Sequence, residues 1–407
     1  MDQCELFFKV VDESPNSFVQ DPLSSSSSIP FDRVTGVTVR LHVATYSGTI
    51  STVLWITFGA MSTIFTLLLL FDSARVLLVH ALDMLLNSGK GVCRSTQLME
   101  GKTVIVTGGS SGIGKETAKE LARRKARVII ACRNITKAKE AAEEILDCTQ
   151  QKVVVKHLDL ASLKSVRKFA KDILLTEPRL DVLINNAGMV YQGKKLQLTE
   201  DGYEVTFQTN YLGPFLLTLL LVELLKENAP SRVVNLTSLM HHVGATDRME
   251  DRIRGNTPWT SPTVTYSHTK MAVLMATFEL ARRLRIHGIQ VNAVHPGTVK
   301  TAIVGRASGM SGLLFSLSYW LFGKTAKEGA QTSIYASVDT RLLRQSGYYL
   351  ADCRKGWPSW RARNDERNRK LFEMSVKLVH LEPSELDRIF ERICYYSAAR
   401  SKEILQG

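Results

Sequence analysis

Cysteine, export signals and metal-ligand spacings are what this chain has least of. Its six cysteines in 407 residues follow no disulfide or zinc pattern, which argues against a small cross-linked extracellular fold and against a metal centre. No zinc spacing, RNA-binding motif or aromatic-interleaved basic stripe accompanies the excess of 52 Lys and Arg over 39 Asp and Glu. The resulting formal charge of +13 therefore points away from nucleic acid, and a membrane neighbour explains it more economically. No internal repeat is present. The first long apolar run begins too late, and lacks the basic leader and small-residue cleavage site, to be a secretory signal peptide.

Charge is also missing from Thr49 to Phe71, 23 residues without one charged side chain. As a helix this stretch is long enough to cross a hydrocarbon core of roughly 30 Å, so a retained single-pass anchor is expected there. Seven of these residues are Ser or Thr; hydroxyls bonding back to helix carbonyls weaken the case without ending it, and a buried soluble helix would share the pattern. Residues 1–48, with Ser24 to Ser28, Pro22, Pro30 and six acidic residues, lack the periodicity of a core and are expected to be a disordered tail. Residues 72–98 form a juxtamembrane segment, in which Arg75, His80 and Asp83 interrupt the apolar run Val76 to Leu86, a pattern suited to the interface.

The chain beyond residue 98 is richer in signals. Lys102 to Val106 is a short β-branched run, Thr107-Gly108-Gly109-Ser110-Ser111-Gly112-Ile113-Gly114 is a glycine turn, and Lys115 to Leu121 reads as an amphipathic helix. Strand, glycine turn and helix in this order suit a dinucleotide: the glycines let the backbone approach a pyrophosphate, and the helix start offers free N–H groups and a positive dipole end. Strands are expected near 103–107, 127–132, 153–157, 181–185, 232–237 and 289–294, with a seventh near Gly347 to Leu350 and helical patterns in the gaps. Such alternation predicts a Rossmann-type α/β fold, a doubly wound parallel sheet of about seven strands with helices on both faces. The unbroken runs Val182-Leu183-Ile184 and Val233-Val234 fit strands buried on both faces.

Tyr266 and Lys270 stand four apart, so on a helix they share a face, and the ammonium can bias the phenol toward phenolate and into range as a general acid or base. A surface helix pair would give the same spacing. Ser238 ends the run Asn235-Leu236-Thr237-Ser238, where a hydroxyl could equally cap a turn.

With Asn185-Asn186-Ala187-Gly188 between them, these motifs resemble the short-chain dehydrogenase/reductase family over roughly residues 99–350, leaving 351–407 as a C-terminal extension. Ala131-Cys132-Arg133, His295-Pro296-Gly297-Thr298-Val299 and Glu328 to Ser333 are similar to its retinol dehydrogenase-like members, which act on retinoids and other lipophilic carbonyls or alcohols. The resemblance implies roles. Tyr266 would be the acid/base, Lys270 would lower its pKa and bind the nicotinamide ribose, Ser238 would hold the substrate oxygen, and Asn210 would support a water path to the lysine. Cofactor contacts would come from Gly108, Ser110, Ser111, Gly112, Ile113, Gly114, Asp159, Leu160, Asn186, Ala187, Gly188, Pro296, Gly297, Val299 and Thr301, with no metal.

An acidic residue at the end of the second strand would bind both ribose hydroxyls of NAD; Arg133 stands there instead, and a planar guanidinium pairs with phosphate, which predicts NADP(H). Ser111, before the second motif glycine, departs from the usual NADP pattern because it is not basic. Leu313 to Phe322 is an apolar run where the family builds its substrate lid, and core packing would look the same. The expected substrate is a lipophilic small molecule, a retinoid-type aldehyde, with sterol, polyprenol and fatty aldehydes as rivals and a non-catalytic NADP-binding membrane scaffold as the alternative class. Membrane lipid is the expected partner, homo-oligomers are open, and Arg361 to Lys370 could touch headgroups or be a solvated helix face. Flanking basic residues do not fix orientation. A cytosolic catalytic domain at the endoplasmic reticulum is expected, since cytosolic NADPH is abundant and a glycan at Asn134 would crowd Arg133.

Overall fold

In the computed structural model, residues 90–193, 195–258, 261–299 and 323–390 are described. The expected anchor at 49–71, the segments flanking it up to residue 89, Thr301, and the apolar run 313–322 lie outside these. Among the described residues no helix is long and apolar enough to cross a membrane.

The chain alternates as its periodicities dictate: β1 (Thr103–Thr107), α1 (Gly112–Arg123), β2 (Arg127–Cys132), α2 (Ile135–Thr149), β3 (Val154–His157), α3 (Leu163–Thr176), β4 (Val182–Asn185), α4 (Gly213–Leu220), β5 (Ser231–Leu236), α5 (Pro262–Leu284), β6 (Ile289–His295), α6 (Ala326–Val338) and β7 (Tyr349–Ala351). These seven strands are parallel, in the order β3-β2-β1-β4-β5-β6-β7. The order reverses between β1 and β4, which opens a crevice at the carboxyl ends of the strands. Side-chain alternation divides the core. Ile105 faces a cluster with Leu183, Leu216 and Met271, whereas Val104 and Val106 face Leu121, Ile184 and Ile334 on the opposite side.

One strand exceeds the expected seven. β8 (Arg354–Lys355) turns back antiparallel on β7, pairing Leu350 with Lys355 and Ala351 with Arg354. Its two-residue turn, Asp352-Cys353, holds both residues at positive φ (49° and 55°), the geometry that matches hairpin twist. Beyond it α7 (Asp365–Leu378) and α8 (Pro383–Phe390) return to the body. Phe372 meets Phe215 edge-on at 5.4 Å, and the hydroxyls of Tyr211 and Ser375 lie 2.6 Å apart.

Candidate active site

The nucleotide half is built where β1 and β4 end. Gly108 has φ 67°, and a Cβ on it would lie 2.9 Å from Ala187 Cα; one on Gly114 would collide with the Gly108 carbonyl and the Asn186 amide. Asn186 Nδ2 donates to Thr107 O at 2.8 Å and Ala187 N donates to Thr107 Oγ1 at 3.0 Å. These bonds stitch the two turns together. Ser111 precedes α1 in extended backbone, and its side chain makes no capping hydrogen bond. The first N–H groups of α1, at Gly112, Ile113 and Gly114, are therefore left for an anion, with the helix dipole behind them. Ser110 reaches the Cys132 thiol, and Ile113 is half-buried beside Gly329 of α6.

Arg133 leaves the end of β2 exposed to solvent and joins no ion pair among the described residues. Asn134 next to it caps α2, accepting from Lys137 N at 3.0 Å. Asp159 shapes the turn after β3, its Oδ1 accepting from Ala161 N at 2.9 Å and its N–H donating to Ser165 Oγ at 3.0 Å. Leu160 is buried beneath it. After β6, Pro296 and Gly297 turn the chain; Gly297, at φ 82°, packs on the Lys324 side chain, and Val299 bridges to Lys324. Lys324 is itself ion-paired with Asp352.

Four side chains converge in the other half. Tyr266 and Lys270 both sit on α5. The Tyr266 hydroxyl lies on the Ser238 side chain's side of the site, and Lys270 Nζ lies 5.4 Å from the Tyr266 ring centre. Lys270 is buried and donates to Leu236 O at 2.9 Å. A Cβ on Gly188 would be 3.5 Å from both Lys270 Nζ and Asn210 Oδ1, which brings Asn210 to the lysine's side. Asn210 Oδ1 accepts from Met189 N at 2.7 Å, while its Nδ2 donates to Met189 O at 2.8 Å and Thr269 Oγ1 at 3.2 Å. Asn210 lies in a π-helical turn, Gln208–Leu212, a widening common at functional sites.

Burial sets the charges. It pushes the Tyr266 phenol up to about 12 against the opposing influence of Ser238, and brings the Lys270 ammonium down to about 8. The four-residue spacing suggests that Lys270 depresses the phenol. Burial is the larger influence on both groups, and Lys270 also donates to the Leu236 carbonyl.

One residue that no motif marks belongs here. His241 is fully buried; Ser359 N donates to its Nε2 at 3.0 Å, and its Nδ1 lies 2.6 Å from Ser238 O. The backbone N–H on Nε2 leaves the ring proton on Nδ1, donated to the Ser238 carbonyl. Burial holds the imidazole well below its ordinary pKa, and so neutral. His295 Nδ1 accepts from Leu239 N at 3.2 Å, fixing the next residue.

A glycine-lined cradle at the sheet's switch point, beside a buried lysine and a phenol on the same helix face, defines a dinucleotide-dependent oxidoreductase. The family model for short chain dehydrogenase matches residues 102–249 and 253–311. Human retinol dehydrogenase 11 is 44% identical over 292 residues, 72% of this chain and 90% of that protein. Human retinol dehydrogenase 13 is 43% identical over 298 residues, 72% of this chain and 88% of that one. The crystal structure of an uncharacterized protein from Mycobacterium Paratuberculosis superposes with a TM-score of 0.55 at 32% identity, covering 71% of this chain and 97% of that one. A gluconate 5-dehydrogenase from Beutenbergia cavernae, 24% identical, shares the fold at a TM-score of 0.52, over 63% of this chain and 97% of that one. The chain belongs to the short-chain dehydrogenase/reductase family and is an NAD(P)-dependent oxidoreductase of alcohols and carbonyls, retinol dehydrogenase-like in sequence.

Proposed function

We propose that the chain is a membrane-anchored, NADP(H)-dependent oxidoreductase that interconverts a lipophilic aldehyde or ketone with its alcohol, retinal and retinol first among them, with reduction favoured. The convergence of Ser238, Tyr266, Lys270 and Asn210 carries the reading. Ser238 and Tyr266 hold the carbonyl oxygen between two hydroxyls, and Tyr266 gives its proton to that oxygen. Nicotinamide supplies the hydride when bound. Lys270 would hold the nicotinamide ribose, and Asn210 would keep the lysine's surroundings polar enough to return a proton to the phenol.

NADP(H) preference is supported by Arg133, an exposed guanidinium where NAD recognition would place a carboxylate. The retinoid assignment is supported by identities of 43–44% to retinol dehydrogenases over about nine-tenths of their lengths, and by the apolar run from Leu313 to Phe322. The anchor rests on the charge-free stretch from Thr49 to Phe71. The endoplasmic reticulum, with this domain facing the cytosol, is the proposed location, and protease protection in sealed microsomes tests it: survival until detergent is added would reverse the orientation. The decisive assay is NADPH consumption by the membrane-embedded protein with all-trans-retinal and a panel of sterol, polyprenyl and fatty aldehydes. Retinal turnover that disappears in Tyr266→Phe supports the reading. Activity confined to another lipid moves the substrate, and nucleotide binding without turnover would leave a scaffold.

A further inference from the structure

Among the described residues the two most exposed large apolar side chains are Trp357, at 85%, and Trp360, at 80%. They sit in Arg354-Lys355-Gly356-Trp357-Pro358-Ser359-Trp360-Arg361-Ala362-Arg363, which has four basic residues and no acidic one. In the sequence only its last three residues stand out, as the start of the basic cluster Arg361 to Lys370; no motif or periodicity marks the two indoles. The backbone imposes the exposure. Gly356 N donates to Tyr349 O at 2.8 Å, Ser359 N to His241 Nε2 at 3.0 Å, and Asn368 Nδ2 to Ala362 O at 2.9 Å. Ser359 and Ala362 are buried, and the indoles between and before them are turned outward. Arg361 donates to His242 O at 2.6 Å, and Lys355 Nζ lies 4.5 Å above the Tyr348 ring.

Charges on β8 alone would be explained as protection of a sheet edge against pairing with another chain. Two rigidly presented indoles defeat that purpose, since they add apolar surface to the edge being guarded. Tryptophan beside Arg and Lys is instead the composition that settles at a bilayer interface, indoles at headgroup level and cations on anionic lipid. A second copy of the chain is a poor occupant, because symmetric pairing would set like charges against each other.

We propose that Arg354–Arg363 is a membrane-contact site for anionic lipid, separate from the apolar stretch at 49–71. Choosing a bilayer over other polyanions rests on the proposed lipophilic substrate. The segment is fastened through Ser359 and His241 to Ser238, so seating it on lipid brings the carbonyl-holding serine to the surface in which such a substrate dissolves.

The test uses the full chain in vesicles of phosphatidylcholine, with or without phosphatidylserine, whose acyl chains carry bromine near the headgroup. Emission of wild type minus Trp357→Phe/Trp360→Phe isolates the two indoles. Each basic residue near an anionic surface favours contact by roughly fivefold, so this difference signal is expected to be quenched with phosphatidylserine and released by salt. Arg354→Gln/Lys355→Gln is expected to bring quenching down to the phosphatidylcholine level while the thermal transition stays put. Equal quenching in both lipids, no quenching in either, or protection by a single-stranded oligonucleotide but not by vesicles overturns the proposal. Because the readout is independent of turnover, quenching without retinal reduction would remove the substrate reading and leave this site standing.

Discussion

His241→Ala removes one imidazole that holds two backbone groups, and its cost can be worked from those contacts. The ring is fully buried, donates to Ser238 O and accepts from Ser359 N, and meets the Tyr349 ring edge-on at 5.0 Å. Two neutral hydrogen bonds contribute about 1 kcal/mol each, and a buried carbonyl and N–H left unmatched cost about 1–3 kcal/mol each. Water entering the space would recover part of this, so the expected loss is about 2–5 kcal/mol, or roughly 5–15 °C in melting temperature for a domain of this size. Because Ser238 is the group displaced, kcat for carbonyl reduction is expected to fall more than KM for NADPH rises, since the nucleotide half does not touch His241. His241→Gln, whose amide offers both a donor and an acceptor, should restore most of the stability and part of kcat. The assay is thermal unfolding of the full chain with steady-state kinetics on the same preparations. An alanine variant within about 0.5 kcal/mol of wild type, or a glutamine variant no better than alanine, refutes the bridge between Ser238 and the C-terminal segment.

Arg133→Ala should raise KM for NADPH by roughly tenfold or more and leave KM for NADH nearly unchanged, as expected for loss of a charge-assisted phosphate contact; equal effects on both would remove the NADP argument. For reduction the phenol must keep its proton, which at about 12 it does, so the alkaline limb should come from Lys270 near about 8. kcat/KM for NADPH should therefore fall as pH rises through about 8, and a profile flat to about pH 10 contradicts this. His268 is held at about 4, first by burial and then by Arg252. A histidine depressed in the folded state binds its proton more readily when unfolded, so stability is full above about 6.5 and is lost as pH falls toward 4. His268→Gln should flatten that window in urea melts, and an unchanged pH slope would count against it.

Local chemistry explains what the sequence could and could not reveal. β4 and β5 are legible because strands buried on both faces carry unbroken apolar runs, and the Gly108–Gly114 turn because its glycines, strand and helix are contiguous. Tyr266 and Lys270 are legible because one helical turn joins them. β8 is not, since Asp352-Cys353 is no glycine-containing hairpin signal and a two-residue strand has no period. The π-helical turn at Asn210 leaves no compositional trace. His241 and Ser359 are 118 residues apart, and nothing in either neighbourhood names the other. Burial raises the phenol's pKa, a contribution from packing around α5 that spacing, which reports only the neighbouring charge, does not contain.

The raised phenol also bears on reaction direction. Both shifts at the site come first from burial and reduce charge: the phenol is held protonated and the ammonium is brought within reach of neutrality. A phenol near 12 is a competent donor at neutral pH and a poor acceptor, so the chain's own residues suit protonation of a substrate oxygen. Oxidation needs the opposite form, and the charge of an oxidised nicotinamide would add to that of Lys270, which also donates to the Leu236 carbonyl, in favouring phenolate. The acid is thus built into the fold, whereas the base depends on which form of the nucleotide is bound. Freeing the lysine tests this: removing the competing carbonyl's hold, by a Leu236 backbone ester in place of the amide to Thr237, should raise the oxidative rate relative to the reductive one. An unchanged ratio would show that the Leu236 contact does not decide where the ammonium's charge is spent.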